Sequence, residues 1–505
     1  MTAPTTTRDQ PEELSPISSA ETARRDAHRW QPPGLDFLFT AVFALFGFAV
    51  GIERLSDNSF FIHLTTGRFI LDHGIPREDS YSFAASGTKF VAQSWLAELL
   101  YGVLDRSFGP FGIRVLGALT GAAITVLAFR LALRLSRERM RASLVTVAAL
   151  SGIYVLWSER PLLLGLLFFM ILLWIVEVPD CWVGRHALVA LPVVFWLWSN
   201  IHGTYALGFL YLGLHLLGRW LDGARPWEGR EKQLLLGAVI AGAATFVNPY
   251  GPALVFFPIH LLQRGDILRH IIEWASPNFH NLRGQALLLW LAVYMVVAAR
   301  GRHRFSRRDV VVTVPFLGLA LWALRNVAIA PLVCLPAVAR AIAVDPEQAA
   351  RTKAEERRGP IGIAFVVVLA VIASAVFVRA FSEADFVTTT YPVKAMNALE
   401  RNDLIGRNLL MDDGDAAYAV LGWYPEQKVF IDDRYDMYPE KQIYDYFDLS
   451  SGGRRWAKIL DRYDVEVIIW PKDEPLTQLV ERSGDWTVIH RDRGWVAFVR
   501  NDLAP

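Results

Sequence analysis

Charge in this chain comes in blocks, and that blocking constrains the fold more than any other feature. Ile361 to Val378 carries no charged residue, whereas Arg130 to Arg141 holds five arginines. Charged side chains make up 20% of the residues, so stretches this clean reflect segregation rather than scarcity. A spanning helix needs ~20 mostly apolar residues to cross a hydrocarbon layer ~30 Å thick. Candidates lie near 35–53, 111–134, 143–158, 161–177, 186–201, 204–218, 233–248, 285–300, 309–324, 326–343 and 361–381. The pattern predicts an α-helical polytopic membrane protein with about eleven transmembrane helices. A hydrophobic content of 53%, with 17 Trp and 30 Phe, agrees. The net charge of +1 gives no case for nucleic acid as a partner.

Orientation follows from Lys and Arg in the short loops. The basic clusters are Arg24/Arg25/Arg29, Arg130 to Arg141, Arg219 to Lys232, Arg300 to Arg308 and Arg351 to Arg358. With eleven spans all five fall on one side, which is then the cytoplasm. The N-terminus is cytoplasmic on this reading, and the chain sits in the bacterial cytoplasmic (inner) membrane. Residues 54–110 form a first extracytoplasmic loop, and 382–505 lie outside as well. Residues 1–34 are polar and Pro-rich and read as a disordered cytoplasmic segment. No secretory signal with a cleavage site is evident, so the first apolar run reads as an uncleaved anchor. Cys181 and Cys334 both fall in or beside apolar segments, which suggests no disulfide framework.

The tail changes texture. "RNLLMD", "QKVFID", "VEVIIW", "WTVIH" and "WVAFVR" are short runs of branched and aromatic residues that predict strands. Between them, 415–423, 439–448, 454–463 and 475–483 carry a helical period. Strands alternating with helices predict a small extracytoplasmic α/β domain over 382–505.

Several segments in order carry a family resemblance. The first loop holds "SDNSFFIHLTTGRFIL", "GIPREDSYSF" and "QSWLAELLYGVL". Further on come "SERPLLLGLLFF", "WLWSNIHGTYALGF", "VNPYGPALVFFP", "IIEWASPNFHN" and "LRNVAIAPLVCLPAVA". The tail holds "YPVKAMNALERNDLIGRNLLMDDGDAAYAVLGWYPEQKVFIDDRYDMY". The series is similar to a group of bacterial polytopic membrane proteins placed with the GT-C superfamily of glycosyltransferases, and it covers nearly everything after residue 35. The resemblance implies a GT-C-like transmembrane domain over 35–381. It also implies transfer of a sugar from a polyprenyl-phosphate carrier to an envelope glycan or lipid, as in envelope polysaccharide biosynthesis. The superfamily places an acid in the first outside loop at the end of the first span, and the matching positions here are Glu53 and Asp57. The usual signature sets two acids adjacent or one residue apart, whereas "ERLSD" separates them by three.

Such a transfer needs a base for the acceptor hydroxyl and a partner for the leaving phosphate. A carboxylate at the water–lipid boundary suits the first role, because partial desolvation raises its pKa. Asp57, or Glu53 in its place, is the expected base. Asp57 also stands where an N-cap would begin the helix of "SDNSFFIHLTTGRFIL", and the two roles are compatible. His63, Arg160, His202 and Arg325 are the expected substrate-binding residues. A guanidinium is well shaped for phosphate, though arginines near a boundary also simply snorkel. His202 stands beside Gly203, where backbone can approach a ligand. Glu98 is a possible second acid, and Glu273 or His270 would face inward if 260–281 roofs the site. Asp432, Asp433 and Asp436 suggest a sugar hydroxyl or Ca²⁺, with Arg434 in their midst arguing for internal pairing. No dissociable cofactor is required, although a divalent cation at the donor phosphate is compatible with the scheme.

Two other readings stand beside transfer. One is a non-catalytic GT-C-like scaffold or regulator of envelope polysaccharide assembly, favoured by the loosened "ERLSD" spacing. The other is a transporter of lipid-linked sugars, against which stands the absence of repeated halves with correspondingly broken spans. The enzymatic reading asks that Glu53 or Asp57 open into an outward-facing cavity shared with Arg160, His202 or Arg325.

Overall fold

The computed structural model describes residues 33–354 and 360–504. The disorder expected over 1–34 therefore falls, but for residues 33 and 34, outside the described residues. Every expected span coincides with a helix: Leu35–Gly51, Pro110–Ser136, Arg139–Tyr154, Leu162–Glu177, Ala187–Ile201, Tyr205–Leu221, Gly229–Ala244, Leu282–Arg300, Arg307–Trp322, Ala330–Ala341 and Pro360–Ser382. Four helical stretches are long and apolar enough to cross a membrane, namely Pro110–Ser136, Leu282–Arg300, Leu324–Ala341 and Gly362–Ser382. The other seven helices have 17 residues or fewer. The chain is a multi-pass membrane protein.

Burial sorts these helices by what surrounds them. Leu324–Ala341 is 83% buried and runs through the middle of the bundle, where its alanines let neighbours approach. Gly362–Ser382 is 6% buried yet is the most apolar of the four, so lipid is what covers it. Leu35–Gly51 and Pro110–Ser136 touch backbone to backbone through glycine pairs four residues apart. A Cβ on Gly47 would sit 2.3 Å from the Gly121 carbonyl oxygen, and one on Gly117 would sit 2.6 Å from that of Gly51.

Two helices of the first loop, Asn58–His73 and Trp95–Phe108, cross in the same way at Gly67 and Gly102. The tail holds a four-stranded sheet of β1 (Leu409–Met411), β2 (Val467–Pro471), β3 (Trp486–Arg491) and β4 (Trp495–Arg500), in the order β1-β2-β4-β3. β1 and β2 are parallel and the remaining pairs antiparallel. Helices Val393–Arg401, Asp413–Trp423, Glu440–Ser450, Trp456–Arg462 and Pro475–Ser483 complete it. The expected strand "QKVFID" forms only isolated bridges, from Val429 to Leu409 on one side and to Ser82 of the first loop on the other. The Val429 amide donates to the Tyr81 carbonyl at 3.1 Å, and the Phe83 amide returns a bond to the Val429 carbonyl. The segment thus stitches the sheet to the loop.

That stitching reflects a common core. Leu55, Phe60, Phe61, Leu64 and Tyr101 of the loop pack with Leu409, Met411, Val467 and Val499 of the tail. Phe90 and Ala92 pack with Phe430, Ile431 and Trp470. A buried ion group seals the junction. Arg434 donates to Asp432 (2.8 and 2.7 Å) and to Asp79 (2.7 Å), and its guanidinium lies over the rings of Tyr81 and Phe90. The Arg434 charge is thus matched by carboxylates from both segments.

Candidate functional site

A cavity of about 760 Å³ opens where the loop, the tail and the ends of the apolar helices meet. The loop contributes Asn58, Ser59, His63 and Glu98, and the bundle contributes Arg160 and Arg325. The connection over 257–274, built of short helical turns, forms a roof with His270, Glu273 and Trp274 facing inward. The tail adds Asp412, Asp413, Asp433 and Tyr446.

The start of helix Asn58–His73 organises the polar wall. Asp57 caps it by accepting the Phe60 amide at 3.2 Å, which satisfies one orphan donor of the first turn. The same carboxylate accepts from Arg160 Nε at 2.7 Å, and Arg160 Nη1 reaches Glu273 at 2.5 Å. Both acids hold the Arg160 pKa above its ordinary value against the opposing effect of burial. Asn58 and Ser59 both donate to Asp433 Oδ2. Burial pushes Asp433 up to about 7, with the neighbouring Asp432 adding to the rise and Ser59 and Arg160 opposing it.

On the other side, His63 Nδ1 lies 2.8 Å from Glu98 Oε1, which leaves Nε2 to the cavity. Glu98 Oε2 is buried without a partner. Arg325 is half-buried and stacks over the Trp274 ring, 4.5 Å from its centroid. Among the described residues it has neither an ion-pair carboxylate nor a hydrogen-bond partner. Its charge is therefore available to an anion entering the cavity.

Of the expected site residues, the structure brings His63, Arg160 and Arg325 into one cavity. Asp57 reaches it only through Arg160. Glu53 is exposed and lies 3.5 Å from Arg379 Nη2, away from the cavity. His202 is also outside the lining. Its Nδ1 accepts the Thr204 amide at 3.2 Å, and burial, followed by Arg325, His63 and Arg160, drives its pKa well below 6.5, so the ring is neutral. The expectation that Glu53 or Asp57 opens into the cavity is thus corrected, and the transfer reading loses the support it asked of those two acids. Glu53 lies exposed just past the helix that ends at Gly51, while Asp57 is held by its cap and by Arg160. The acids that line the cavity are Glu98, Glu273, Asp412, Asp413, Asp433 and Asp436.

Sequence reasoning passes over Asp412, Asp413 and Tyr446. The Tyr446 hydroxyl lies 2.9 Å from Asp413 and 3.2 Å from Asp412, which share its one proton, and Tyr435 donates to Asp413 at 2.9 Å. Burial, then the Asp413 charge, raises Asp412 to about 6. The available signal is "MDDGD", acids crowded where a strand ends and a helix begins.

No protein-family model and no curated protein matches the sequence. Solved structures do match in fold. The crystal structure of ArnT from Cupriavidus metallidurans bound to undecaprenyl phosphate aligns with TM-score 0.52 and 15% identity, over 93% of this chain and 98% of that one. ArnT from Cupriavidus metallidurans in the apo state aligns with TM-score 0.52 and 16% identity, over 96% of this chain and 100% of that one. The chain shares its overall fold with ArnT.

Proposed function

We propose that this protein is a glycosyltransferase that moves a sugar from a polyprenyl-phosphate-linked donor to an envelope glycan or lipid. The reaction takes place on the outer face of the cytoplasmic membrane, with the basic loops inside and the tail outside. The observation that carries the reading is Arg325, a guanidinium with no ion-pair carboxylate among the described residues, stacked on Trp274 in a cavity that six carboxylates also line. An anionic headgroup fits the first feature and a hydroxyl acceptor the second. The fold shared with ArnT, a protein seen with undecaprenyl phosphate bound, supports a lipid-phosphate ligand.

In this scheme Arg325 and Arg160 bind the donor phosphate and stabilise the charge that grows on it as the sugar leaves. His63, oriented by Glu98 through Nδ1–H, donates Nε2–H to a phosphate oxygen when the ring carries both protons. Asp57 is a positioning residue that fixes the Arg160 guanidinium. A carboxylate of the cavity lining accepts the acceptor's proton. No dissociable cofactor enters the scheme. As for a divalent cation at the phosphate, among the described residues no three His, Cys, Asp or Glu side chains gather to hold one, and no step passes through it.

The scaffold reading gains one specific observation, since the expected base Asp57 is committed to a cap and an ion pair. One experiment separates the two. Lipid-linked sugars and envelope glycans would be compared by mass spectrometry in a deletion strain complemented with wild type or Arg325→Ala at equal abundance. Transfer predicts a sugar missing in the deletion, restored by wild type and not by Arg325→Ala. A profile indifferent to the deletion would leave the scaffold.

A further inference from the structure

Three consecutive residues of the first loop set a cation and an acid side by side. Asp57 binds Arg160, while Asn58 and Ser59 bind Asp433 of the tail. Both held groups line the cavity. The arrangement places a phosphate-binding charge next to a carboxylate borne by a different part of the chain.

The acids of the wall differ in what they have left to offer. Asp413 has its two oxygens on the hydroxyls of Tyr435 and Tyr446, and Asp412 accepts the Gly414 amide at one oxygen with the Tyr446 hydroxyl 3.2 Å from the other. Glu273 is paired with Arg160; Glu98 is paired with His63 through Oε1 and its other oxygen is buried; Asp436 is held by no other side chain among the described residues. Asp433 accepts its two donors on Oδ2 alone, and among the described residues Oδ1 has no protein partner. The carboxylate is thus fixed at one oxygen and open at the other, which is what a base needs to meet a substrate hydroxyl.

We propose that Asp433, supplied by the tail, is the catalytic base that activates the acceptor, and that the acceptor is a neutral, hydroxyl-bearing sugar. The proposal rests on the transferase reading above and assigns its proton acceptor. The acceptor oxygen forms a bond to the anomeric carbon of the donor sugar as the bond from that carbon to the phosphate oxygen breaks. The electron pair of the broken bond stays on the polyprenyl phosphate, held by Arg325 and Arg160, and the hydroxyl proton passes to Asp433 Oδ1. Asp412, Asp413 and Asp436 around it turn away an anionic acceptor, while the hydroxyls of Tyr435 and Tyr446 suit a polyol. The surroundings of Asp433 also favour proton transfer. Burial and Asp432 raise its pKa to about 7, with Ser59 and Arg160 opposing and Asp413 adding to the rise. A base works best when its pKa lies near the working pH.

The test uses the full chain in the complemented deletion strain, together with undecaprenyl phosphate as the binding probe on purified protein by native mass spectrometry. Asp433→Asn is expected to cut the glycan product roughly 100-fold or more, at wild-type abundance and with undecaprenyl phosphate binding unchanged. Asp433→Glu should recover part of the loss. Should Asp433→Asn fail to accumulate, the double variant Asn58→Ala/Ser59→Ala decides the matter: it removes both donors that fix Oδ2 while keeping the carboxylate, and an unchanged product overturns the proposal. If Asp433→Asn restores the full product where the deletion lacks it, Asp433 is not the base, although the transferase reading stands. If the variant loses undecaprenyl phosphate binding along with product, Asp433 holds the donor and the proposal fails. If wild type itself changes no glycan, both readings fall together.

Discussion

Arg160 donates Nε–H to the Asp57 carboxylate across 2.7 Å, and that bond ties a helix cap to a side chain that lines the cavity. Local and tertiary demands meet on one side chain, since the same carboxylate accepts the Phe60 amide. Substitutions at Asp57 separate the two. Asp57→Ala loses the cap, worth about 0.5–2 kcal/mol, and leaves Arg160 with Glu273 alone. Asp57→Asn keeps an acceptor for the Phe60 amide. Thermal unfolding of the detergent-solubilised chain should rank wild type above Asp57→Asn and Asp57→Asn above Asp57→Ala. Equal melting of the two variants would show that the cap contributes nothing.

The junction between loop and tail depends on Arg434. Replacing it with Met leaves Asp79 and Asp432 buried and unpaired. Breaking a buried pair in this way typically costs about 3–5 kcal/mol. The expected result is a tail released by limited proteolysis under conditions where the wild-type chain stays whole. Unchanged resistance would mean that the apolar core alone holds the junction.

The glycine contacts between the first two bundle helices leave no room for a methyl group. Gly47→Ala should lower the apparent melting temperature, with overpacking costing about 1–3 kcal/mol. Gly213→Ala is the matched control, because a Cβ there meets nothing within 4 Å. Similar melting of the two variants would sink the close-approach argument.

Raised tail acids, Asp415 and Asp433 most of all and Asp412 less, make stability depend on pH. Burial raises Asp415 from 3.8 to about 7, with a bond from Trp495 Nε1 at 2.9 Å partly offsetting it, and Asp433 behaves alike. Between these values the folded chain binds more protons than the unfolded one, so the contribution is largest near pH 4 and is lost as pH rises through about 7. Asp415→Asn should therefore flatten the decline in melting temperature between pH 5 and pH 8. An unaltered slope would place the linkage elsewhere.

Much of this molecule is legible from one dimension. Each expected span is a helix because apolar runs must satisfy their own backbone in lipid, and hydropathy records that need directly. The tail's four strands are equally visible as short branched runs. "QKVFID" reads as a fifth strand, and its failure is instructive: Val429 finds a partner in Ser82, far earlier in the chain, which no local pattern encodes.

The site is legible by residue type and not by placement. "SDNS" announces a cap, and Arg160, Arg325 and His63 stand out as polar groups at apolar ends. Sequence position suggests that Glu53 and Asp57, as neighbours, share a site. Helix geometry instead sends Glu53 to Arg379 and Asp57 to Arg160. Asp433, one of the acids that do face the cavity, comes from the far end of the chain. Side-chain period and composition fix which residues meet lipid and which form strands, because those are properties of neighbours in sequence. Which carboxylate meets which guanidinium was decided only when the loop and the tail buried a common core.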